Sequence, residues 1–560
     1  MVIIKIEIEK TVLAVFFGIL LFIGPGNLFA HKIMHDYPYG YFASDTFQHQ
    51  VRADAIKDAG NFRYEANYIS HGLDNVVGRY PPILYHLAVI FSYASGLEVY
   101  DAIYFVVFFF AILGAFLMYF VIRNFNKNVA LISLPLMVLM IAFPVNTFSF
   151  SSLASLESEY STGFIFGHWP SMLGQFFLVA FAWCIMKIDL EKSYIFIAII
   201  LSAIILTHTS EAVFAVIFLL LFAITKFIGK SITKADIKKT IIAAGITLLL
   251  TIYYITIFKN TWASSQPYTF KVDAAWNGNP GFYILGFGVL LVFIIIGIIA
   301  AFFRLKNMDV ALVFGLSMLL AGFMNYIGFE LRSFQIRFFW PVYLSVFFGL
   351  GIYLLLKSIV KNWNIFYSVL PLVVFIVLIL GIVKIPSVPH YSKNPDSAGL
   401  MDAYHWSALN WLSINAEQNS RIYFFYGDIY GQDALLRNSK RVHYLVDPDD
   451  FKKSLKEGKI KRSYLSKLPG DSGGGLKIKT GIFSFQDALD SKPDDYLFGP
   501  RDICGFEYAV FDKVLRYDVL AKYNMLIASE LLKKDYIKNA FENEVAVILK
   551  NSKTGDDCIA

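Results

Sequence analysis

A short polar run near the amino terminus has the residue types and the spacing for acid–base chemistry. Asp45, His49 and Arg52 stand at positions i, i+4 and i+7 of this run. If the run is helical, the three side chains share one face of the helix. A carboxylate beside an imidazole and a guanidinium could bind a metal or a phosphate, or act as a general base. The alternative is an N-capped helix whose Asp-His-Arg stripe faces solvent.

A second group of candidate ligands follows later in the chain. Glu157 and Glu159 are separated by one residue, and His168 follows nine residues after Glu159. Carboxylate oxygens and imidazole nitrogens are ligands that Mg²⁺ or Mn²⁺ accepts. These three residues, joined by Asp45, are therefore a candidate site for Mg²⁺ or Mn²⁺, and Trp169 is a candidate substrate contact. The alternative for the glutamates is an acidic loop in solvent.

A histidine and a glutamate stand between two apolar runs with almost no loop to hold them. His208 and Glu211 are separated by Thr209 and Ser210. Ionisable groups at membrane depth are costly unless they meet a cavity or a partner. We expect both residues to face a cavity and to contact substrate. The alternative is that Thr209 or Ser210 caps the following helix, with Glu211 in its first turn.

Two arginines between apolar runs, at positions predicted to lie on the extracytoplasmic side of the membrane, are candidates for contact with phosphate. Arg332 and Arg337 follow Glu330 between two apolar runs. Guanidinium groups match phosphate oxygens bidentately, so this pair is suited to a lipid-linked phosphate, unless either arginine pairs with Glu330 instead. Arg79 and Tyr80 stand in a Gly-Arg-Tyr-Pro-Pro turn. This turn leads into an apolar segment, 82–93, that is too short to span a bilayer and suits an interfacial helix, and both residues are further candidate substrate contacts.

The elements that must position these residues are membrane helices. Only 16% of the 560 residues are charged and 57% are hydrophobic, whereas an ordinary soluble domain has about 25% charged residues. This excludes a purely soluble protein. The net charge of +6 is too dilute to indicate a nucleic-acid partner.

Apolar runs predict an all-α polytopic membrane bundle of about eleven transmembrane helices. The expected spans are 11–30, 102–122, 129–148, 171–186, 194–207, 212–228, 240–258, 281–303, 310–327, 338–356 and 365–383. Lysines and arginines concentrate in alternate loops, which predicts a cytoplasmic N-terminus and an extracytoplasmic C-terminal tail in an integral plasma membrane protein. The first run could also be a cleaved signal peptide, which would leave the later orientations unchanged.

The predicted domains are a transmembrane domain, 1–384, with a long first outer loop, 31–101, and a soluble extracytoplasmic α/β domain, 385–560. Short apolar runs predict strands at 422–426, 443–446, 508–511 and 545–549, and helices at 404–414 and 525–534. Cys504 and Cys558 both lie in this tail, where one disulfide between them is a possibility that the sequence leaves open.

The order of these features resembles the GT-C superfamily of multi-spanning glycosyltransferases, which use sugars carried on polyprenyl phosphate or pyrophosphate. The resemblance rests on the cytoplasmic N-terminus, Asp45 soon after the first span, the Tyr80-Pro81-Pro82 turn and the outer α/β tail. It implies transfer of a sugar from a polyprenyl-phosphate carrier to a glycan, lipid or protein acceptor at the outer face, with membrane lipid around the bundle. It also implies that Asp45 is the catalytic acid/base residue.

Two subclasses of the superfamily compete. The run from Ser44 to Arg52 resembles the aspartate-histidine-arginine pattern of oligosaccharyltransferase catalytic subunits, and Glu157 and Glu159 sit where those enzymes keep a second, metal-binding acidic motif. The tail lacks their Trp-Trp-Asp-Tyr-Gly motif, and its nearest sequence is Tyr404-His405-Trp406. Mannosyl, arabinosyl and aminoarabinosyl transferases of the superfamily need no such motif.

A transporter or lipid flippase is an alternative from a different functional class. In that case His208 and Glu211 would form a proton relay and the tail would act as a receptor. Repeat symmetry and broken mid-membrane helices are typical of transporters, and neither is evident in the sequence. A non-catalytic scaffold for envelope assembly is a third possibility.

Overall fold

The structure is a computed structural model. It covers residues 9–11, 13–14, 36–39, 41, 45–60, 81–142, 167–188, 192–264, 284, 287–288, 290–304, 309–328, 333–360, 401–425, 433–445, 502–514, 518–555 and 558.

The helices are numbered here in chain order within the described residues. They are α1 Asp45–Ala59, α2 Ile83–Ser95, α3 Val99–Phe125, α4 Lys127–Ala142, α5 Trp169–Met186, α6 Ser193–Ile205, α7 Thr209–Ile228, α8 Lys234–Ser264, α9 Leu290–Phe302, α10 Val310–Ala321, α11 Ser333–Phe338, α12 Trp340–Ile359, α13 Ala403–Asn415, α14 Asp433–Leu436 and α15 Asp518–Leu531.

The chain divides into two compact units. Unit 1 comprises Met1–His31, Val77–Leu97 and Ala102–His390. Unit 2 comprises Lys32–Val76, Glu98–Asp101 and Tyr391–Ala560. Most of the segment predicted as the first outer loop, including α1, therefore belongs to the same unit as the C-terminal region.

Unit 1 is helical, and its surface is rich in apolar side chains. Four described helices, α3, α5, α7 and α12, are long and apolar enough to cross a membrane. Leu220 and Leu249 are 60% and 71% exposed, which suits helices that contact lipid and not water. The expected total of eleven spans stays a prediction, because several of the expected segments, such as 365–383, lie outside the described residues.

Close packing between helices of unit 1 depends on small residues. A Cβ atom at Gly297 on α9 would lie 2.0 Å from the Phe347 carbonyl oxygen on α12. A Cβ at Gly351 on α12 would lie equally close to the Phe293 carbonyl oxygen, at 2.0 Å. Side chains cannot fit at either position, so α9 and α12 approach backbone to backbone, as membrane helices with small interface residues do.

The predicted span 310–327 is shorter as a helix than expected. Helix α10 ends at Ala321, and a 3₁₀ turn, Met324–Ile327, follows. At the break, a Cβ on Gly322 would lie 2.3 Å from the Trp340 ring. The indole ring of Trp340, fully buried, thus occupies the space beside the helix end, and its Nε1 donates to the Met318 carbonyl at 3.0 Å.

The segment predicted as an interfacial helix is helical in the structure. Helix α2 begins at Ile83, directly after the two prolines, and is followed by Gly96 in the left-handed region, at φ +74°. Proline at a helix start and glycine just after its end are the expected terminal residues. Its placement at a membrane interface stays a prediction.

Among the residues that the structure describes, unit 2 contains a five-stranded mixed sheet with the order β2-β1-β3-β5-β4. Its strands are β1 Arg421–Phe424, β2 Val442–Leu445, β3 Tyr508–Asp512, β4 Ile537–Glu542 and β5 Ala546–Asn551. The first three strands are parallel, and β5 runs antiparallel to both β3 and β4. The predicted α/β composition of the tail is confirmed, although β4, of whose six residues only one is buried, was not expected.

The core of unit 2 lies against the central strand β3, all five residues of which are buried. Phe511 stacks on Phe425 with ring centroids 4.1 Å apart, and Ile527 and Leu531 of α15 complete the cluster. Cys504 and Cys558, the two cysteines of the tail, form a disulfide and are 54 residues apart in sequence.

Candidate functional site

Helix α1 brings the first candidate residues together as the sequence predicted. It begins at Asp45, and it places His49 and Arg52 one and two turns further along the same face. Asp45 is half-buried, whereas His49 is only 1% exposed. The Arg52 Nη1 donates to the Gln48 carbonyl oxygen at 3.1 Å. A purely solvent-facing stripe, the alternative expectation, is therefore wrong for His49.

The opposite face of α1 is attached to the C-terminal segment of unit 2. The Gln50 Nε2 donates to the Asn438 Oδ1 at 2.8 Å and to the Asp54 Oδ2 at 2.6 Å. One turn later, Lys440 forms an ion pair with Asp58. The sequence did not reveal these contacts, because Gln50 and Asn438 are 388 residues apart.

Asp54 is an unexpected titratable group in this contact. Its burial raises the pKa to about 7, and the nearby Asp58 carboxylate acts in the same direction. The positive charge of Lys440 and the hydrogen bond from Gln50 oppose this rise. A carboxyl group with such a pKa exchanges its proton near neutral pH.

In unit 1, Glu211 is the centre of a buried polar network. Its carboxylate is completely buried and accepts hydrogen bonds from Ser171 Oγ at 2.5 Å and Gln175 Nε2 at 2.6 Å, both on α5. The His208 imidazole contacts its other oxygen, and Tyr343 of α12 hydrogen-bonds to Gln175. Glu211 therefore joins three helices instead of facing lipid.

Neither Thr209 nor Ser210 is the N-cap residue of α7, so this part of the alternative expectation is wrong. The N-cap residue is His208, with extended backbone and no side-chain cap hydrogen bond, and Glu211 lies in the first turn. The amino end of a helix stabilises a negative charge, so this is a favourable position for a buried carboxylate. Packing around the carboxylate is tight, because a Cβ on Gly174 would lie 2.9 Å from Glu211 Cγ.

Arg337 is a buried cation in unit 1, only 1% exposed. Its Nε donates to the Gly322 carbonyl at 2.7 Å, and its Nη2 donates to the Asn325 Oδ1. The guanidinium carbon lies 5.4 Å from the centre of the Tyr326 ring. The structure thus ties Arg337 to the 3₁₀ turn after α10. Glu330, its alternative ion-pair partner, and Arg332, the second candidate phosphate contact, lie outside the described residues.

His168 and Trp169 lie at the amino end of α5. The His168 Nδ1 is 3.4 Å from the Gln335 Nε2, and its ring stacks on Phe338 with centroids 5.8 Å apart. Trp169 is completely buried and meets Tyr104 edge to face. Trp169 thus packs within the bundle, and its contact with substrate stays a prediction.

The predicted metal site is only partly within the described residues. Glu157 and Glu159 lie outside them, as do the candidate substrate contacts Arg79, Tyr80 and Arg332. Among the residues that the structure describes, no three His, Cys, Asp or Glu side chains are grouped as metal ligands. Binding of Mg²⁺ or Mn²⁺ therefore stays a prediction.

Unit 2 contains one more buried cluster that the sequence did not indicate. The His405 Nδ1 contacts the Asp402 Oδ2 at 2.5 Å, and its Nε2 contacts the Asp512 Oδ2 at 3.1 Å. Burial lowers the pKa of His405, but the two carboxylates outweigh burial and raise the pKa to about 9. The cluster joins the start of α13 to the end of β3.

The arrangement of helices and sheet is similar to two kinds of membrane enzyme of known structure. The crystal structure of ArnT from Cupriavidus metallidurans in the apo state has 10% sequence identity and a TM-score of 0.57, with 98% of this chain and 100% of that chain covered. This is the GT-C fold. ArnT bound to undecaprenyl phosphate gives nearly the same result, with a TM-score of 0.56 at 10% identity and coverage of 98% and 99%.

A second GT-C structure is similar to this chain with a lower TM-score. The apo Archaeoglobus fulgidus oligosaccharyltransferase has a TM-score of 0.50 and 12% identity, and covers 91% of this chain and 70% of that chain. No family model and no curated protein sequence matches the chain. The resemblance inferred from the order of the motifs is thus confirmed for the GT-C fold.

Proposed function

We propose that this protein is a membrane glycosyltransferase that moves a sugar from a polyprenyl-phosphate carrier to an acceptor at the outer face. The observation that carries the proposal is the similarity to ArnT along practically the whole of both chains. The ArnT structure with undecaprenyl phosphate supports the class of carrier. The sugar is a hexose or a pentose in this proposal, and the acceptor is a glycan, a lipid or a protein.

The chemical step follows from the proposed role of Asp45. Asp45 removes the proton of an acceptor hydroxyl while the hydroxyl oxygen attacks the anomeric carbon. The bond from that carbon to the phosphate oxygen breaks, the electron pair leaves with the polyprenyl phosphate, and the configuration of the sugar is inverted. Arg332 and Arg337 stabilise the departing phosphate in this scheme. His49, Arg52, Arg79, Tyr80 and Trp169 are the other proposed substrate contacts, together with His208 and Glu211.

Two features of the described residues support this assignment. Asp45 is half-buried at the first position of α1, so the residue is not shielded completely from an acceptor. The Cys504–Cys558 disulfide suits an oxidising compartment outside the cytoplasm, in agreement with the proposed extracytoplasmic position of the tail. The protein is an integral membrane protein in this proposal, with a cytoplasmic N-terminus.

Transfer in isolated membranes tests the proposal. The donors are undecaprenyl and dolichyl phosphates that bear radiolabelled hexoses or pentoses, and the variants are Asp45→Asn and, as the control, Asp535→Asn, which changes an exposed carboxylate. We expect Asp45→Asn to lower transfer by about a hundredfold or more, and Asp535→Asn to retain wild-type transfer. Equal activity of Asp45→Asn and wild type would remove Asp45 as the base.

The same assay separates the remaining alternatives. Label in an added peptide that contains an asparagine sequon would favour the oligosaccharyltransferase-like function, which the Asp45-His49-Arg52 spacing suggests. Movement of the labelled lipid across proteoliposomes without transfer would favour the flippase. Loss of transfer with a chelator, restored by Mg²⁺ or Mn²⁺, would support a metal site of Asp45, Glu157, Glu159 and His168.

A further inference from the structure

We propose that Asn438 and Lys440 are positioning residues, which hold α1 so that Asp45 has its catalytic orientation. The inference rests on the proposed function, because it assumes that Asp45 is the base. Neither residue is near Asp45 in sequence, and both contact the face of α1 opposite Asp45.

The residues of α1 separate into two stripes by their helical positions. Gln50, Asp54 and Asp58 stand at i, i+4 and i+8, whereas Asp45, His49 and Arg52 stand at i, i+4 and i+7. At about 100° per residue, the centres of the two stripes lie about 170° apart around the helix axis. The face with Asp45 therefore has the proposed catalytic and substrate-binding residues. The opposite face, with Gln50, Asp54 and Asp58, is called the attachment face.

The attachment face is bonded to a short segment of unit 2 between residues 435 and 440. Asn438 Oδ1 accepts from Gln50 Nε2 at 2.8 Å, and Asn438 Nδ2 donates to the Leu435 carbonyl at 3.0 Å, which holds the asparagine in place. Two residues later Lys440, in the left-handed region at φ +52°, reaches Asp58. These two contacts are eight residues apart on α1, so together they restrict both rotation and tilt of the helix.

The chain just before α1 has its own attachment, at Tyr41. Its carbonyl oxygen accepts from the Met401 backbone N–H at 2.8 Å, and its hydroxyl donates to the Tyr100 carbonyl at 2.6 Å. The Tyr41 ring meets Phe47 of α1 with centroids 5.5 Å apart. The start of α1 is thus held at Tyr41 and its later turns at Asn438 and Lys440, with Asp45 between the two.

Because α1 is held before Asp45 by Tyr41 and after it by Asn438 and Lys440, the orientation of Asp45 depends on these contacts. Displacement of a catalytic group by about 1 Å can cost about a hundredfold in rate. A loss of the Asn438 or Lys440 contact should therefore reduce the catalytic step while substrate binding persists. An exposed ion pair contributes little to folding stability, so the catalytic effect of Lys440 should exceed its effect on the folded state.

The test compares two lysines of unit 2 with similar ion pairs. Lys440 pairs with Asp58 and touches α1, whereas Lys550 pairs with Glu417 at 2.7 Å, away from α1. For purified full-length protein we expect Lys440→Ala and Asn438→Leu each to lower kcat about tenfold with KM within about twofold. Lys550→Ala should leave both constants unchanged. The charge exchange Asp58→Lys with Lys440→Asp should restore most of the kcat that Lys440→Ala loses.

Hydrogen exchange of the α1 amides gives a second measurement that needs no activity. Exchange in peptides spanning 45–59 should rise in Lys440→Ala and Asn438→Leu, and return towards wild type in the charge exchange. Unchanged exchange would overturn the attachment, and faster exchange with unchanged kcat would overturn the positioning role. Absence of transfer by wild type from every donor would overturn the proposed function and this role with it, while the exchange data would still decide the attachment.

Discussion

Each unit of the protein has an acid and a histidine three residues apart at the start of a helix, but in opposite order. In unit 1 His208 is the N-cap residue of α7 and Glu211 lies in the first turn. In unit 2 Asp402 is the N-cap residue of α13, where it accepts backbone N–H groups of Tyr404 and His405, and His405 lies in the first turn. The same spacing thus places a carboxylate inside one helix end and an imidazole inside the other.

The groups that contact the two clusters differ in charge, in the sense expected from the helix dipole. A carboxylate near a helix amino terminus is favoured, and Glu211 needs only the hydroxyl and amide donors of Ser171 and Gln175 beside His208. An imidazolium in the same position is disfavoured by the dipole, and His405 is flanked by two carboxylates, Asp402 and Asp512. The histidine at the N-cap of α7 thus contacts one carboxylate, whereas the histidine inside the first turn of α13 contacts two.

Removal of Glu211 should have the largest effect. Glu211→Ala leaves the buried donors of Ser171 and Gln175 without their acceptor, so we expect a loss of about 3–5 kcal/mol in stability, or no folded protein in detergent. Glu530→Ala is the control, since Glu530 is 41% exposed and pairs with Lys533. Thermal unfolding followed by size-exclusion chromatography measures both. Equal melting temperatures for the two variants would show that the network is not a stabilising hub.

The stability of unit 2 should depend on pH through His405. Its pKa rises from 6.5 to about 9 on folding, so its contribution is complete below pH 6.5 and is lost as the pH rises through about 9. Asp402, whose pKa is lowered by His405, contributes above its ordinary pKa and loses this contribution as the pH falls.

The His405 contribution can be measured by exchange of the β3 amides at matched pH values. Wild type should lose about 2 kcal/mol of local stability between pH 6.5 and 9.5 relative to His405→Gln. A parallel pH dependence of wild type and His405→Gln would contradict the role of the imidazolium.

The smallest effect should come from the outer edge of the Glu211 network. Tyr343→Phe removes only the hydroxyl that hydrogen-bonds to Gln175, so a loss of about 1 kcal/mol is expected. Tyr404→Phe, which changes a half-exposed tyrosine, is the matched control and should change the melting temperature little. A loss for Tyr343→Phe as large as that for Glu211→Ala would mean that Gln175, and not Glu211, organises the network.

Several features of the fold were predictable because they are local. Apolar runs predicted helices such as α3 and α5 to within about three residues, and short apolar runs predicted strands β1, β2, β3 and β5. The exposed strand β4 was missed, since its burial follows no clear alternation. The end of α10 at Ala321 was missed because the ring of Trp340, nineteen residues after that helix end, occupies the space beside Gly322.

The candidate site was predictable only in part for the same reason. The i, i+4, i+7 spacing of Asp45, His49 and Arg52 was sufficient to predict their shared helix face. Gln175 could have been recognised from the sequence as a polar residue within an apolar span. Its contacts with Glu211 and Tyr343 could not have been predicted in this way. Asp54, Asp512 and Asn438 carried no local signal.

The sequence by itself determined which segments are apolar enough for membrane helices, that the tail is α/β, and that Asp45 begins a polar helical face. Those properties depend on residues within a few turns of one another, where composition and periodicity act directly. Tertiary structure alone decided that Glu211 joins three helices, that Cys504 and Cys558 pair, and that a segment near residue 438 holds the helix of Asp45. Each of those contacts joins parts of the chain whose approach depends on the packing of everything between them.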